Sequence, residues 1–188
     1  MNHEELSKHY NFTPEHEGHL KAHTDDSTDV NNYLWDKHED VPEFGHDPHH
    51  EHNIKKMDHA LSAYKTPSNL IVYSGIHYDP RGRMNSEKVV HHPAYMSTSL
   101  DKDIAKGFAS DKPASPRQAK GKHILAIHVP EGHPGAYVGH ISHVSSEREF
   151  VLPRDTKLKH IKTESEVESS RILRKPYSLH IHHMEVVK

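Results

Sequence analysis

Apolar residues along this chain recur at two spacings, one of three to four residues and one of two, and polar runs broken by proline and glycine separate the segments they mark. Residues 54–64 place Ile54, Met57, Leu61 and Tyr64 on one side of a helix. Thr66, Pro67 and Ser68 end that helix and lead into a β-rich run at 70–73. Upstream, Ser27 or Thr28 can cap a helix whose buried face holds Val30, Tyr33 and Leu34. Asp101 can cap another that carries Ile104, Ala105 and Phe108 at helical spacing. Residues 123–129, HILAIHV, read as a buried strand closed by Pro130, Gly132, Pro134 and Gly135. A further strand opens at Glu149 and is expected to finish at 156–161, and residues 177–187 alternate enough for a last one.

The polar runs fill the remainder. Residues 38–53 and 111–122 read as loops, and 162–175 as a surface loop or short helix. Residues 1–19 are rich in His and Glu and broken by Pro14 and Gly18, which predicts a polar arm, either loosely ordered or a short first helix, ahead of a single domain over 20–188.

Composition narrows the classes. Of 188 residues, 32% are hydrophobic and 27% charged, so a modest core with long polar loops is expected. A formal net charge of -3 offers no basic excess to neutralise phosphates, which argues against a nucleic-acid or membrane-surface partner. No cysteine excludes disulfides and thiolate metal sites and fits a reducing, cytoplasmic setting. The first residues lack the basic and apolar regions of an export signal, and no apolar run reaches membrane-span length.

Histidine is the anomaly, at 23 residues, enough to turn the chain from mildly acidic to strongly basic if all were charged. His46, His49, His50 and His52, with Asp47 and Glu51, could hold a transition metal, but without fixed ligand spacing they read as a solvated loop. His180 and His182 share a strand face and read as a solvated edge, so no metal ligand is assigned.

Three stretches carry candidate chemistry. The run SSEREFVLPR, 145–154, sets Glu147 and Glu149 two apart at a strand entrance, where they would share a face and each would perturb the other. A lone Glu-x-Glu is usually a solvated strand end. Here it follows YMSTSLDKDIAKGFA, 95–109, with the hydroxyl run Ser97, Thr98 and Ser99, and NLIVYSG, 69–75, which ends in Tyr73, Ser74 and Gly75.

A strand-end aromatic, then Ser-Thr-Ser, then Glu-x-Glu, in this order and at these distances, resembles the mono-ADP-ribosyltransferase family of the arginine-modifying kind, and within it the phage-encoded members. The resemblance covers about residues 20–161, including Thr24, Ser27, Asn31 or Asn32, and Leu34 on helices ahead of the catalytic strands. It implies an α+β fold, with N-terminal helices followed by two packed, mostly antiparallel β-sheets around an NAD cleft. It also implies transfer of ADP-ribose from NAD to an arginine of a target protein, with release of nicotinamide and no required metal.

In that reading Glu149 stabilises the oxocarbenium-like sugar and holds the ribose 2'-hydroxyl, Glu147 orients the incoming guanidinium, and Ser97 fixes the Glu149 rotamer. Tyr73, Ser74, Gly75, Thr98, Ser99 and Phe108 line the cofactor, and Arg81 and Arg83 lie in the segment that covers its phosphates. The turn at 139–146 recognises the acceptor, through Ile141, His143 and Val144. For a phage-encoded member the setting is the cytoplasm of the host.

One position departs from the pattern: the family's cofactor-gripping arginine is replaced by Ser74, so Arg81, Arg83 or His77 must supply that contact. The alternatives are a binding module that keeps the fold without catalysis, and a transferase acting on nucleic acid or water.

Overall fold

In the computed structural model of the chain, residues 2–39, 47–109, 121–169 and 176–187 are described. Four helices come first: α1 (His3–His9), α2 (Pro14–Asp25), α3 (Thr28–His38) and α4 (Pro48–Ser62). The strands are β1 (Leu70–Ile76), β2 (Val89–His92), β3 (Met96–Ser99), β4 (Lys122–Val129), β5 (Ala136–Tyr137), β6 (Glu149–Leu152), β7 (Thr156–Ser169) and β8 (Pro176–Val187), with α5 (Lys102–Phe108) after β3. Short 3-10 turns occupy Pro80–Arg83 and Ser145–Glu147. The architecture is α+β, and the strand pairs are mostly antiparallel. Among the described residues no helix is long and apolar enough to cross a membrane.

The chain divides into two compact units between which it passes repeatedly. The first takes Met1–Leu70, His92–Ser97 and Pro130–Thr156, and the second Ile71–His91, Thr98–Val129 and Lys157–Lys188.

The first unit holds α1 to α4. Of the two readings of the polar N-terminal segment it is the helical one that holds, because local caps and a few apolar anchors outweigh its polar composition. Asn2 and Glu5 form a reciprocal capping box, and Thr13 caps α2 with Pro14 in its first turn, where a proline costs nothing. Leu6, Tyr10 and Leu20 are buried. Ser27 makes no side-chain cap on α3; Asp26 accepts the Thr28 amide instead. The 38–53 loop is shorter than expected, since Asp47 caps α4 and Pro48 starts it, which puts His49, His50 and His52 on a helix. His46 lies outside the described residues.

These helices anchor two strands. The Tyr95 hydroxyl donates to the Ile54 carbonyl at 3.0 Å and to Asp58 at 2.8 Å, and its amide donates to Asn31. Arg154, just past β6, donates twice to Asp58 Oδ2. Strands β5 and β6 pair antiparallel, Tyr137 opposite Phe150, and Phe150, Val151 and Leu152 are fully buried.

In the second unit the strands run in the order β2-β7-β8-β4-β1. Three expectations change here. The strand that Glu149 opens ends at Leu152, because Pro153 lacks an amide donor and Asp155 turns the chain at φ 62; β7 is a separate strand. Residues 162–169 extend β7 rather than forming a loop, held by an antiparallel ladder to β8 that runs from Lys157↔Val187 to Ser169↔Pro176. β8 is no edge: β4 pairs with it in parallel on its other side, and His182 is fully buried. Burial holds the His182 ring neutral down to about 3 and that of His23, in the first unit, down to about 4, so neither joins the charge swing of the exposed histidines.

The β4–β8 register sorts side chains to two faces. Ile124, Ala126, Leu179 and Ile181 pack with Ala105 and Ala109 of the α5 segment, and Tyr73 covers the edge of that cluster. On the opposite face His123 is paired with His180 and followed by His182. α5 can lie this close only because position 75 is glycine: a Cβ there would stand 2.6 Å from the Ala109 amide and closer still to the Ala105 carbonyl. Gly75→Ala is expected to destabilise the protein by about 1–3 kcal/mol through overpacking against backbone, read as a lowered denaturation midpoint with unchanged m.

Candidate active site

The two glutamates and Ser97 lie in the first unit. Glu147 ends the 3-10 turn, Arg148 takes the left-handed conformation at φ 49, and only then does β6 begin at Glu149. The two carboxylates are therefore not strand neighbours on one face; a left-handed residue between them breaks the alternation on which that expectation rested. They still feel one another.

Glu149 is 7% exposed, and its carboxyl is raised above the ordinary value, first by burial. A hydrogen bond from Ser97 works in the opposite direction, and the charge of Glu147 adds to the rise. Ser97 itself is exposed at the start of β3, where the chain is held by the Tyr95 anchors two residues earlier.

The preceding turn is built on Val138, whose amide donates to the Glu149 carbonyl and whose carbonyl accepts from Ile141 and Ser142. Ile141 is half-buried, His143 exposed, and Val144 48% exposed. His143 Nε2 stands 3.3 Å from Asp25, a pair that is ionic when the ring is protonated.

The strand-end groups lie in the second unit. Tyr73 of β1 is in register with Ser99 of β3. Thr98 and Ser99 are each 4% exposed, and the Ser99 hydroxyl oxygen accepts the Asp101 amide just ahead of α5. Ser74 and Gly75 follow on β1, both half-buried. Phe108, which the resemblance assigns to the cofactor, is 56% exposed at the end of α5, and the buried side of that short helix is taken by Ala105.

Of the two loop arginines, Arg81 forks onto Asp79 through Nε and Nη2, at 2.9 to 3.1 Å and 2.6 Å. Burial alone would raise the Asp79 carboxyl, but these bonds and the Arg81 amide overcome it and hold it at about 2. Arg83 lies over the Tyr78 ring, 4.4 Å from its centroid.

Chemically, a buried carboxylate steadied by one hydroxyl and pressed by a second carboxylate is suited to stabilising a positive charge that develops beside it. Asp79, which holds Arg81, was missed by sequence reading. An Asp before Pro-Arg is an Asx-turn signal that could have found it. The anchors Asp58 and Arg154 left no such signal, since their partners are remote in sequence, whereas Asn31 was one of the two asparagines the resemblance pointed to.

A family model described as ADP-ribosyltransferase exoenzyme matches residues 2–175. The NAD(+)--arginine ADP-ribosyltransferase EFV of Enterococcus faecalis (strain ATCC 700802 / V583) is 29% identical over 104 residues, 55% of this chain. The match spans about a fifth (20%) of that protein's length. Among solved structures, Plx2a, an ADP-ribosyltransferase toxin from Paenibacillus larvae, superposes with a TM-score of 0.69 at 20% identity, over 99% of this chain and 91% of that one. The ADP-ribosyltransferase Vis from Vibrio splendidus, solved in complex with agmatine, gives 0.68 at 18% identity over 99% and 81%.

Proposed function

Because the chain belongs to the ADP-ribosyltransferase exoenzyme family, we propose that it breaks the bond between nicotinamide and ribose in NAD and passes ADP-ribose to an arginine guanidinium. The observation that carries this reading is the buried Glu149, hydrogen-bonded by Ser97 and coupled to Glu147. Nicotinamide leaves with the bonding electron pair, a guanidinium nitrogen forms the new bond to the sugar, and the proton it loses is taken up at Glu147. Glu149 acts at the ribose, where its charge opposes the positive charge on the sugar.

The acceptor is an arginine of a protein, and for a chain resembling phage-encoded transferases a protein of the host cytoplasm. Ile141, His143 and Val144 meet it from an exposed turn. Tyr73, Ser74, Gly75, Thr98, Ser99 and Phe108 line the NAD site. Arg81 and Arg83 are the cations available for its phosphates in place of the arginine that Ser74 replaces, each already oriented by a neighbour.

Ser74 also keeps a second reading in play, a binding module that holds the fold without turnover. Incubation with NAD and agmatine, whose guanidinium stands in for arginine, separates the two. The transferase yields nicotinamide and ADP-ribosyl-agmatine in equal amounts; a protein that binds NAD and releases no nicotinamide is the module.

A further inference from the structure

We infer that the second unit carries a site for one divalent transition metal of the zinc class, formed by Asp79, His123 and His182. One oxygen or nitrogen from each of these residues lies within 4.8 Å of the other two. His123 Nδ1 and His182 Nε2 are 3.0 Å apart, close to the edge of about 3.3 Å expected for a tetrahedron with bonds near 2.0 Å. Both rings are sealed from water, at 2% and 0% exposure.

Two neutral imidazoles facing each other nitrogen to nitrogen in a dry site can share only one proton. A cation between them would use both lone pairs, and the carboxylate of Asp79 would offset part of its charge. The donor set of two imidazoles and one carboxylate leaves a fourth position for water, a combination that zinc accepts readily.

The surroundings orient the ligands. His182 Nδ1 is 3.0 Å from Thr163 Oγ1, which is in turn 2.8 Å from His160 Nε2. When His182 donates from Nδ1 to Thr163, and Thr163 donates to His160, the lone pair of His182 is fixed on Nε2, toward His123 and Asp79. The His123 ring has those of His180 and His182 as neighbours, with centroids at 4.8 Å and 5.3 Å. Three Arg81 N–H groups, the backbone amide among them, fall on the Asp79 carboxylate, which has about four lone-pair sites and so keeps about one for an ion. Because Asp79 also caps the Pro80–Arg83 turn, the ion would tie the segment bearing Arg81 and Arg83 to β4 and β8. The role is structural, and such a site would stand whether or not the chain cleaves NAD.

The test titrates the full, tag-free chain, stripped with chelator, with Co2+, and follows the visible bands of tetrahedral cobalt; Zn2+ is then added in competition. Expected is one tetrahedral Co2+ per chain, displaced by Zn2+, with affinity lower by about tenfold or more in Asp79→Asn and in His123→Gln. A variant with His49→Gln, His50→Gln and His52→Gln keeps the site, since those residues lie on α4 in the other unit. Tetrahedral cobalt that Asp79→Asn binds with undiminished affinity, that is abolished by the α4 triple variant, or that never forms overturns the inference. Should circular dichroism find His123→Gln unfolded, Asp79→Asn decides alone, because Asp79 is only half-buried.

Discussion

Glu149→Gln is expected to lower nicotinamide release by about 10²–10³-fold, in kcat rather than KM, as befits a charge that acts only as the sugar turns cationic. Glutamine keeps the shape and can still accept from Ser97, so the loss isolates the charge. Stability moves the other way. Burial raises the Glu149 carboxyl, so the folded protein holds that proton to higher pH than the unfolded chain does. The charged form therefore costs stability above the raised value, and the cost fades as pH falls through it to the ordinary glutamate range. At neutral pH the glutamine variant should melt no lower than the parent, and the gap in its favour should shrink on acidification. The same logic gives Ser97→Ala a sign: losing a hydrogen bond to the charged form raises Glu149 further and moves the acid limb of kcat/KM to higher pH. Wild-type rates in Glu149→Gln would remove that residue from the chemistry.

Glu147→Gln should divide two activities that fall together in Glu149→Gln. Transfer to agmatine is expected to drop by about 10²-fold, the usual worth of a positioned proton acceptor, while cleavage of NAD to free ADP-ribose continues. Glu147 sits at the end of a 3-10 turn, half-buried, and acts on Glu149 through charge. A neutral amide there loses both the attraction for a guanidinium and the site for its proton. Removing that negative neighbour also lets the Glu149 carboxyl fall, so the acid limb of NAD cleavage should move to lower pH, opposite to Ser97→Ala. The ratio of ADP-ribosyl-agmatine to ADP-ribose reads the split. A parallel loss of both products would show instead that Glu147 serves the sugar step.

What could be read from the chain in advance was whatever local chemistry enforces. The three- and four-residue spacing of Ile54, Met57 and Leu61 marked the body of α4, all three being buried. Asp101 capped α5 as its side chain allows, and 70–73, 123–129 and 177–187 became the cores of β1, β4 and β8. The order Tyr73, then Ser97 to Ser99, then Glu147 and Glu149 was sufficient to suggest which strand ends matter. The hydrogen bond between Ser97 and Glu149 was expected from the resemblance alone, and it is present. α1 and α2 could also have been found, for Asn2 with Glu5 and Thr13 with Pro14 are cap signals that the surrounding His and Glu obscured.

The rest was decided by partners distant in sequence. Residues 162–169 read as a charged loop until β8 supplies a ladder, because a strand's backbone bonds, unlike a helix's, lie outside the segment. His182 looked like an edge residue and is fully buried, since only the parallel pairing of β4 with β8 tells which strands flank it. The same pairing sets His123 beside His182, and the turn after β1 brings Asp79 to both. By itself the sequence determined the periodic elements, their caps and the order of the reactive groups, since each depends on neighbours a few residues away. The tertiary structure alone decided burial, register and the meeting of side chains far apart in sequence, because hydrogen bonding across strands and desolvation depend on what packs against a residue and not on what precedes it.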